Sequence, residues 1–189
     1  MTPTTSGFIR WSGLAALVGG ALWMVVFVAH AWGAGSGPAE GPPLVSFRGL
    51  GLPGLLALLL IGLGFVGLDR PSWRGDGGGY GRLGRVGFDL VGLAVFVVFV
   101  SSSSRNIGLI GAFLLIAGSL MVGVAALRTG LLPRWGAAAL VVGSLAFLLF
   151  DTEGLRAWFG VPYGAAWVAV GYLMWTGGDR TARQPARVR

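Results

Sequence analysis

Three charged residues near the start of an apolar stretch are the first candidates for chemistry. Arg82, Arg85 and Asp89 are spaced to share one face of a helix, and Arg85 and Asp89 stand four residues apart, which allows an ion pair. An acid in apolar surroundings is costly and often belongs to a binding or proton-handling site. An arginine one turn away equally serves to neutralise the acid while it anchors the helix. Both interpretations of this trio remain open.

A second, weaker group of candidates comprises His30, Asp151, Glu153 and Arg156. Histidine and carboxylates are the right types to hold a metal ion, but the group contains no pair four residues apart and no carboxylate close to the histidine in sequence. We therefore expect an interfacial histidine and a solvated polar edge, with no metal site. No nucleophile with an adjacent activating base is evident either, so we expect no catalytic site and no enzyme.

A glycine pattern raises the question of a nucleotide cofactor. Gly79, Gly81 and Gly84 match the G-x-G-x-x-G spacing of dinucleotide-binding turns. Such a turn follows a buried strand and precedes an acidic residue by about 20 positions. Here the preceding segment, DRPSWRGDGG, has the composition of a loop, and the chain has no acid between Asp89 and Asp151. We interpret the pattern as a glycine-rich loop and expect no cofactor.

The composition identifies the surroundings of these residues. Of 189 residues, 54% are hydrophobic and 11% charged, and the mean hydropathy is +0.77, values outside the range of soluble domains. The net charge of +7 is spread over the loops rather than concentrated in a stripe, which argues against binding to nucleic acid. These values predict an integral membrane protein.

The apolar residues fall into six blocks, each close to the ~20 residues that a helix needs to cross a bilayer. The sequence therefore predicts an all-α polytopic membrane protein, a six-transmembrane-helix bundle. We expect a single transmembrane domain over residues 1–178 and a basic cytoplasmic tail over residues 179–189. The predicted spans are residues 11–32, 49–68, 83–100, 107–127, 135–150 and 157–176.

The arginines predict the orientation of the spans, because cytoplasmic loops are enriched in positive charge. Eleven arginines lie at the two termini and in the second and fourth connections, whereas only Arg48, Arg105 and Arg156 lie on the other side. We expect both termini in the cytoplasm. The motif Ala29-His30-Ala31 resembles a signal-peptidase site, so cleavage of residues 1–31 is an alternative. The apolar run before it is longer than a signal-peptide core, which favours a retained span.

Small residues recur at four-residue steps in most of the spans, a pattern that permits close approach of helices in lipid. We expect them to form a compact bundle, and they also offer faces for self-association or for another membrane protein. The pairs and triplets are Ser12, Ala16 and Gly20; Gly108 and Ala112; Ser119 and Gly123; Ala139 and Gly143; Gly160 and Gly164.

Three segments, RWSGLAALVGGALW (10–23), YGRLGRVGF (80–88) and LRTGLLPRWGAAALVVG (127–143), resemble a widespread group of small bacterial membrane proteins that have no characterised activity. The resemblance implies a six-span protein of the bacterial cytoplasmic (inner) membrane. It implies no catalytic residue and no substrate.

The expected function is non-enzymatic: an accessory, interaction or assembly protein of the inner membrane. The alternative is a transporter or channel-like subunit for a lipophilic or small neutral solute, for which a charge-poor interior suffices. The lipid bilayer is the expected partner of the chain. Each cytoplasmic arginine near the membrane surface should contribute about 1 kcal/mol of attraction to anionic lipids.

Overall fold

The computed structural model describes residues 3–34, 51–69, 81–100, 105–149 and 158–177, and these residues form six α-helices. The predicted all-α class is confirmed, although α1 begins at Pro3 rather than at Trp11. The tail 179–189 lies outside the described residues. The helices are α1 (Pro3–Ala34), α2 (Gly51–Asp69), α3 (Gly81–Val100), α4 (Arg105–Thr129), α5 (Arg134–Leu148) and α6 (Gly160–Gly177).

Three of the helices are long and apolar enough to cross a membrane, over Gly7–Trp32, Leu52–Asp69 and Ile110–Thr129. The other three are shorter or more polar. Helix α5 has 15 residues, α3 carries three charged side chains in its first half, and α6 contains two tryptophans and two tyrosines. The length and composition of the three long helices support insertion of the chain into a membrane.

Helices α1 and α6 run antiparallel and touch through backbone atoms. Gly13 and Gly20 on α1 face Gly171 and Gly164 on α6. A Cβ added at Gly164 would lie 2.7 Å from the carbonyl oxygen of Gly20, and one added at Gly20 would lie 2.6 Å from that of Gly164. In each helix the two glycines are seven residues apart, which returns them to one face after two turns. This spacing creates a glycine-lined seam along the helix pair.

Comparable glycine seams join α1 to α2 and α3 to α4. A Cβ at Gly64 would meet Ala16 at 2.6 Å, and Gly67 lies directly against Ser12. On the other pair, Gly87 and Gly118 each face the other's carbonyl oxygen, at 2.9 and 2.7 Å from an added Cβ. Because lipid supplies no hydrophobic drive between helices, close backbone approach of this kind is a main source of their attraction.

An aromatic core fills the interior between the helices. Trp23 and Phe27 of α1, Phe147 of α5, and Tyr163 and Trp167 of α6 are all almost completely buried. Their rings form a chain of contacts, with centroids 5.2 Å apart for Phe147 and Tyr163 and 5.9 Å apart for Trp23 and Tyr163. Pairs of aromatic rings add about 0.5–1.5 kcal/mol each beyond the burial of their surface. The core therefore ties α1, α5 and α6 together.

One hydrogen bond crosses the core between α4 and α6. The Ser119 hydroxyl donates to the carbonyl oxygen of Leu115 at 2.7 Å, so its oxygen accepts the proton of the Tyr163 hydroxyl, which lies 2.9 Å away. This pair satisfies two polar groups that have no access to water.

The described tryptophans differ in exposure. Trp32, Trp135 and Trp158 lie near helix ends and are exposed, as expected for side chains at a membrane interface, and Trp11 is exposed in the third turn of α1. Trp23 and Trp167 lie in the core, and neither indole nitrogen meets a hydrogen-bond acceptor among the described residues.

Candidate functional site: a groove between α2 and α3

Helices α2 and α3 are neighbours that are not in close backbone contact at Gly62 and Gly92. A Cβ added at Gly62 of α2 would meet Val95 of α3 at 3.6 Å, an ordinary van der Waals distance, and one added at Gly92 of α3 would meet nothing within 4 Å. The space left between the two helices is a groove of about 530 Å³. This volume lies in the range of about 300–1,000 Å³ that is typical of small-molecule sites.

The groove has apolar walls and opens to the outside of the helices. Its exposed members include Leu56, Leu59, Leu63 and Val66 of α2. In a membrane such an opening faces lipid, so an occupant could enter from the bilayer. The full lining is Leu56, Leu59, Leu60, Gly62, Leu63, Phe65, Val66, Asp69, Phe88, Asp89, Val91, Gly92 and Val95.

Two carboxylates lie at one end of the groove. Asp69 is the last residue of α2 and is half-buried, and Asp89 lies in the third turn of α3 and is exposed. In the antiparallel packing of α2 and α3, Phe65 contacts Phe88, and both acids belong to the lining of the same groove. No arginine or histidine belongs to the described lining, so its charged groups are all acidic.

Only one member of the predicted trio Arg82, Arg85 and Asp89 belongs to the groove. Asp89 lines the groove, whereas Arg82 and Arg85 are exposed and lie outside its lining. Within the described part of the chain, no ion pair joins Arg85 to Asp89. The spacing that permits such a pair therefore does not produce one in this conformation, and Asp89 faces the groove without an arginine partner among the described residues.

The floor of the acidic end is aromatic. Phe65 and Phe88 meet edge to face, with ring centroids 6.0 Å apart. Phe65 also contacts Trp167, at 4.2 Å between ring centroids, so the groove is backed by the aromatic core. Packing against Trp167 of α6 therefore holds Phe65 in place.

A smaller depression lies at the same end of the helices, between α1 and α6. The guanidinium of Arg10 stands over the ring of Trp175, 5.2 Å from its centroid. This cation–π contact contributes about 0.5–1 kcal/mol at a partly exposed position and holds the start of α1 against the end of α6.

The external candidates do not form a described site. His30 is half-buried near the end of α1, and Asp151, Glu153 and Arg156 lie outside the described residues. In the segments that the structure describes, no group of three histidine, cysteine, aspartate or glutamate residues is placed to hold a metal ion. The expectation that Asp151, Glu153 and Arg156 hold no metal ion stays a prediction.

Two residues that matter were not among the sequence candidates. Asp69 directly follows the predicted span 49–68, a position where an acid is ordinary. The antiparallel alignment of α2 and α3 gives it a place in the same groove lining as Asp89. Tyr163 was missed because a tyrosine near the start of a span suggests an interfacial residue, yet it is fully buried and bonded to Ser119.

Comparison with known proteins returned nothing: no protein-family profile, curated protein or solved structure matches the chain.

Proposed function

We propose that the chain is a six-span protein of the bacterial inner membrane with both termini in the cytoplasm. Antiparallel packing of successive helices supports this topology, because it brings the arginine-bearing ends of the helices to one side. Arg10, Arg82 and Arg128 lie near helix ends on that side, and Arg105 begins α4 on the other. Because cytoplasmic ends of membrane helices are enriched in arginine, the arginine-bearing side is the cytoplasmic side.

Reporter fusions test the proposed topology. A reporter that is active only outside the cytoplasm should be active after Pro38, in the first connection, and inactive at the C-terminus. A cytoplasmic reporter should show the opposite pattern. An active exported reporter at the C-terminus would contradict the six-span, N-in and C-in arrangement.

The function that the geometry supports best is non-enzymatic binding at the groove between α2 and α3. The observation that carries this proposal is the contrast between helix pairs. The α1–α6, α1–α2 and α3–α4 pairs are closed by glycines in backbone contact, whereas Gly62 and Gly92 line an open space of about 530 Å³. In this proposal the protein is an accessory component of the membrane that acts by holding an apolar or amphiphilic molecule.

The packing also changes which surface is available to a partner. The sequence offers the small residues of α1, α4, α5 and α6 as candidate faces for a partner, but Ala16, Gly20 and Gly143 pack against neighbouring helices of the same chain. Their replacement by large residues would damage the fold before it removed a partner. Gly92, in contrast, borders open space, so a side chain added there changes the groove without entering the core.

Filling the groove tests the binding proposal. Gly92→Leu places a side chain in open space within the groove and also improves helix propensity by up to about 1 kcal/mol, so the protein should fold. We expect mild solubilisation from the native membrane, followed by mass spectrometry, to find a small molecule with the wild type and at least about tenfold less with Gly92→Leu, since binding worth about 1.4 kcal/mol is lost.

The matched control is Ala117→Leu, which enlarges an exposed residue of α4 outside the groove. This variant should retain the molecule at the wild-type level. Equal retention by all three proteins would place the bound molecule elsewhere and contradict the proposed role of the groove.

The transporter alternative stays a second candidate because a lateral apolar groove also suits a lipophilic solute. The distinguishing measurement is solute flux in proteoliposomes. Binding without flux supports the accessory role, and flux that Gly92→Leu abolishes supports transport.

A further inference from the structure

The exposed face of α3 carries charge at a depth where its neighbour α4 is apolar. Arg82, Arg85 and Asp89 are all exposed on α3, and we call their shared face the polar notch. We propose that water and phospholipid head groups descend along the polar notch to the level of Asp89, so that the bilayer is locally thinned beside α3. The notch requires that α4 crosses the membrane, but it requires no molecule in the groove between α2 and α3.

Contacts between α3 and α4 fix the relative depth of their residues. A Cβ added at Gly118 of α4 would lie 2.7 Å from the carbonyl oxygen of Gly87 and 3.0 Å from the backbone nitrogen of Val91. Gly118 therefore packs between these two residues of α3. Asp89 is midway between them in sequence, so it lies at nearly the same depth as Gly118 and the exposed Ala117.

From this depth to the end of α4, the two helices present different surfaces. The first charged residue of α4 after Gly118 is Arg128, which is ten residues and about 15 Å further along the helix. Leu127, just before it, is an exposed apolar residue. On α3 the polar notch already begins at the level of Gly118. The boundary between apolar and charged surface therefore differs by about half of the ~30 Å hydrocarbon core.

Helix α2 also ends within the depth of the polar notch. Phe65 of α2 contacts Phe88 of α3, with ring centroids 6.0 Å apart. Helix α2 ends at Asp69, four residues and about 6 Å beyond Phe65. Because α2 and α3 are antiparallel, this end lies beside the first half of α3, which carries the polar notch. Two adjacent helices thus place charged residues at a depth where α4 has none.

A tilt of the whole bundle does not account for this difference. Packed helices lie about 8–10 Å apart, so a step of about 15 Å between α3 and α4 would need a tilt of more than about 50°. Membrane helices tilt by about 0–40°. A lowered membrane surface beside α3 meets the requirement, because local thinning and water defects relieve the cost of charge at depth.

The side chains of the polar notch differ in reach. Arg82 and Arg85 are long, and helical side chains point toward the helix N-terminus, so both arginines can extend their charge toward the membrane surface at the start of α3. The carboxylate of Asp89 stays close to its own backbone. Asp89 therefore sets the depth to which water and head groups descend.

Spin labels on single cysteines test the notch, because the natural chain has no cysteine. The positions are Val86, Leu127 and Ala117, which are all exposed. A Cβ added at Gly87 would lie 3.1 Å from the Cβ of Met121, so Val86 is near the depth of Met121. In a flat bilayer a label at residue 86 would therefore lie about 9 Å deeper than one at residue 127.

The measurement uses the full-length protein in bilayers of phosphatidylethanolamine and phosphatidylglycerol, and compares label collisions with oxygen and with a water-soluble nickel chelate. We expect the label at residue 86 to be at least as accessible to nickel as the one at residue 127, an apparent shift of about 9 Å. The label at residue 117 should be the least accessible. The double change Arg85→Leu and Asp89→Leu, which preserves the net charge, should lower nickel access at residue 86 below that at residue 127. Asp89→Glu should retain the access.

Three results would overturn the polar notch. Lower nickel access at residue 86 than at residue 127 in the otherwise unchanged protein would indicate a flat bilayer. High access at residue 86 that persists in the double leucine variant would mean that the charges do not cause it. Equal nickel access at all three positions would place α4 outside the hydrocarbon and would also contradict the six-span proposal. The groove is tested separately, since retention of a molecule and its loss in Gly92→Leu do not depend on the depth of these labels.

Discussion

Replacing Gly171 with leucine is expected to abolish the folded state of the protein. Gly171 lies against the backbone of Leu17, and an added Cβ would also stand 2.6 Å from the carbonyl oxygen of Gly13. These are backbone atoms of a neighbouring helix, so they cannot move aside as the end of a flexible side chain does. Adding methylene groups to a tight core lowers the folding stability by about 1–3 kcal/mol. The loss is at or above the upper end of this range when the added atoms meet backbone.

The measurement is the unfolding free energy in detergent and the homogeneity of the purified protein. Gly171→Leu should give aggregated or heterogeneous material, and Gly171→Ala should fold with lower stability. Gly92→Ala is the matched control, because the same added methyl meets nothing within 4 Å and should be neutral or stabilising. Equal stabilities of Gly171→Ala and Gly92→Ala would mean that α1 and α6 do not meet as described.

The second large effect is expected from Trp167→Ala. Trp167 is completely buried, its ring lies 4.2 Å from that of Phe65 between centroids, and a Cβ added at Gly64 would lie 3.4 Å from it. Truncation to alanine removes a large apolar side chain and leaves a cavity that the packed helices cannot close. We expect a loss of about 3–5 kcal/mol in unfolding free energy.

Trp167→Ala should also weaken the binding site, because Phe65 loses its support behind the groove. The control is Trp135→Ala, in which an exposed tryptophan of α5 is truncated, with an expected change within about 0.5 kcal/mol. Unfolding is measured for both variants under the same detergent conditions. A Trp167→Ala protein as stable as Trp135→Ala would be inconsistent with an aromatic core at this position.

The helices were predictable from the sequence because their signal is local. Blocks of apolar residues, Gly130 after α4 and Pro133 before α5 define where helices end, and the structure has Gly130 in a positive-φ turn with Pro133 next to the first residue of α5. The start of α1 was missed because residues 3–10 are not apolar, and helix formation there does not depend on hydropathy. The glycine spacing predicted close packing of helices but not which helices meet.

The candidate site was predictable only in part because it depends on register between helices. The sequence singled out Asp89 as an acid in an apolar stretch, and it does line the groove. The sequence also paired Asp89 with Arg85, since four-residue spacing is the rule that local patterns provide. That Asp69 lines the same groove depends on the antiparallel alignment of α2 and α3, and the groove depends on the lack of close backbone contact at Gly62 and Gly92. Neither feature is visible in a single stretch of sequence.

The groove as a binding site is tested most directly by photolabelling with an alkylamine that carries a diazirine in its chain. Labelled peptides are mapped by mass spectrometry in the wild type, Gly92→Leu and Ala117→Leu. We expect labels to concentrate on the α2 and α3 residues that line the groove, such as Leu59 and Leu63, and to fall at least about fivefold in Gly92→Leu but not in Ala117→Leu. Labels spread evenly over the exposed faces of all helices, with no change in Gly92→Leu, would contradict the presence of a binding site between α2 and α3.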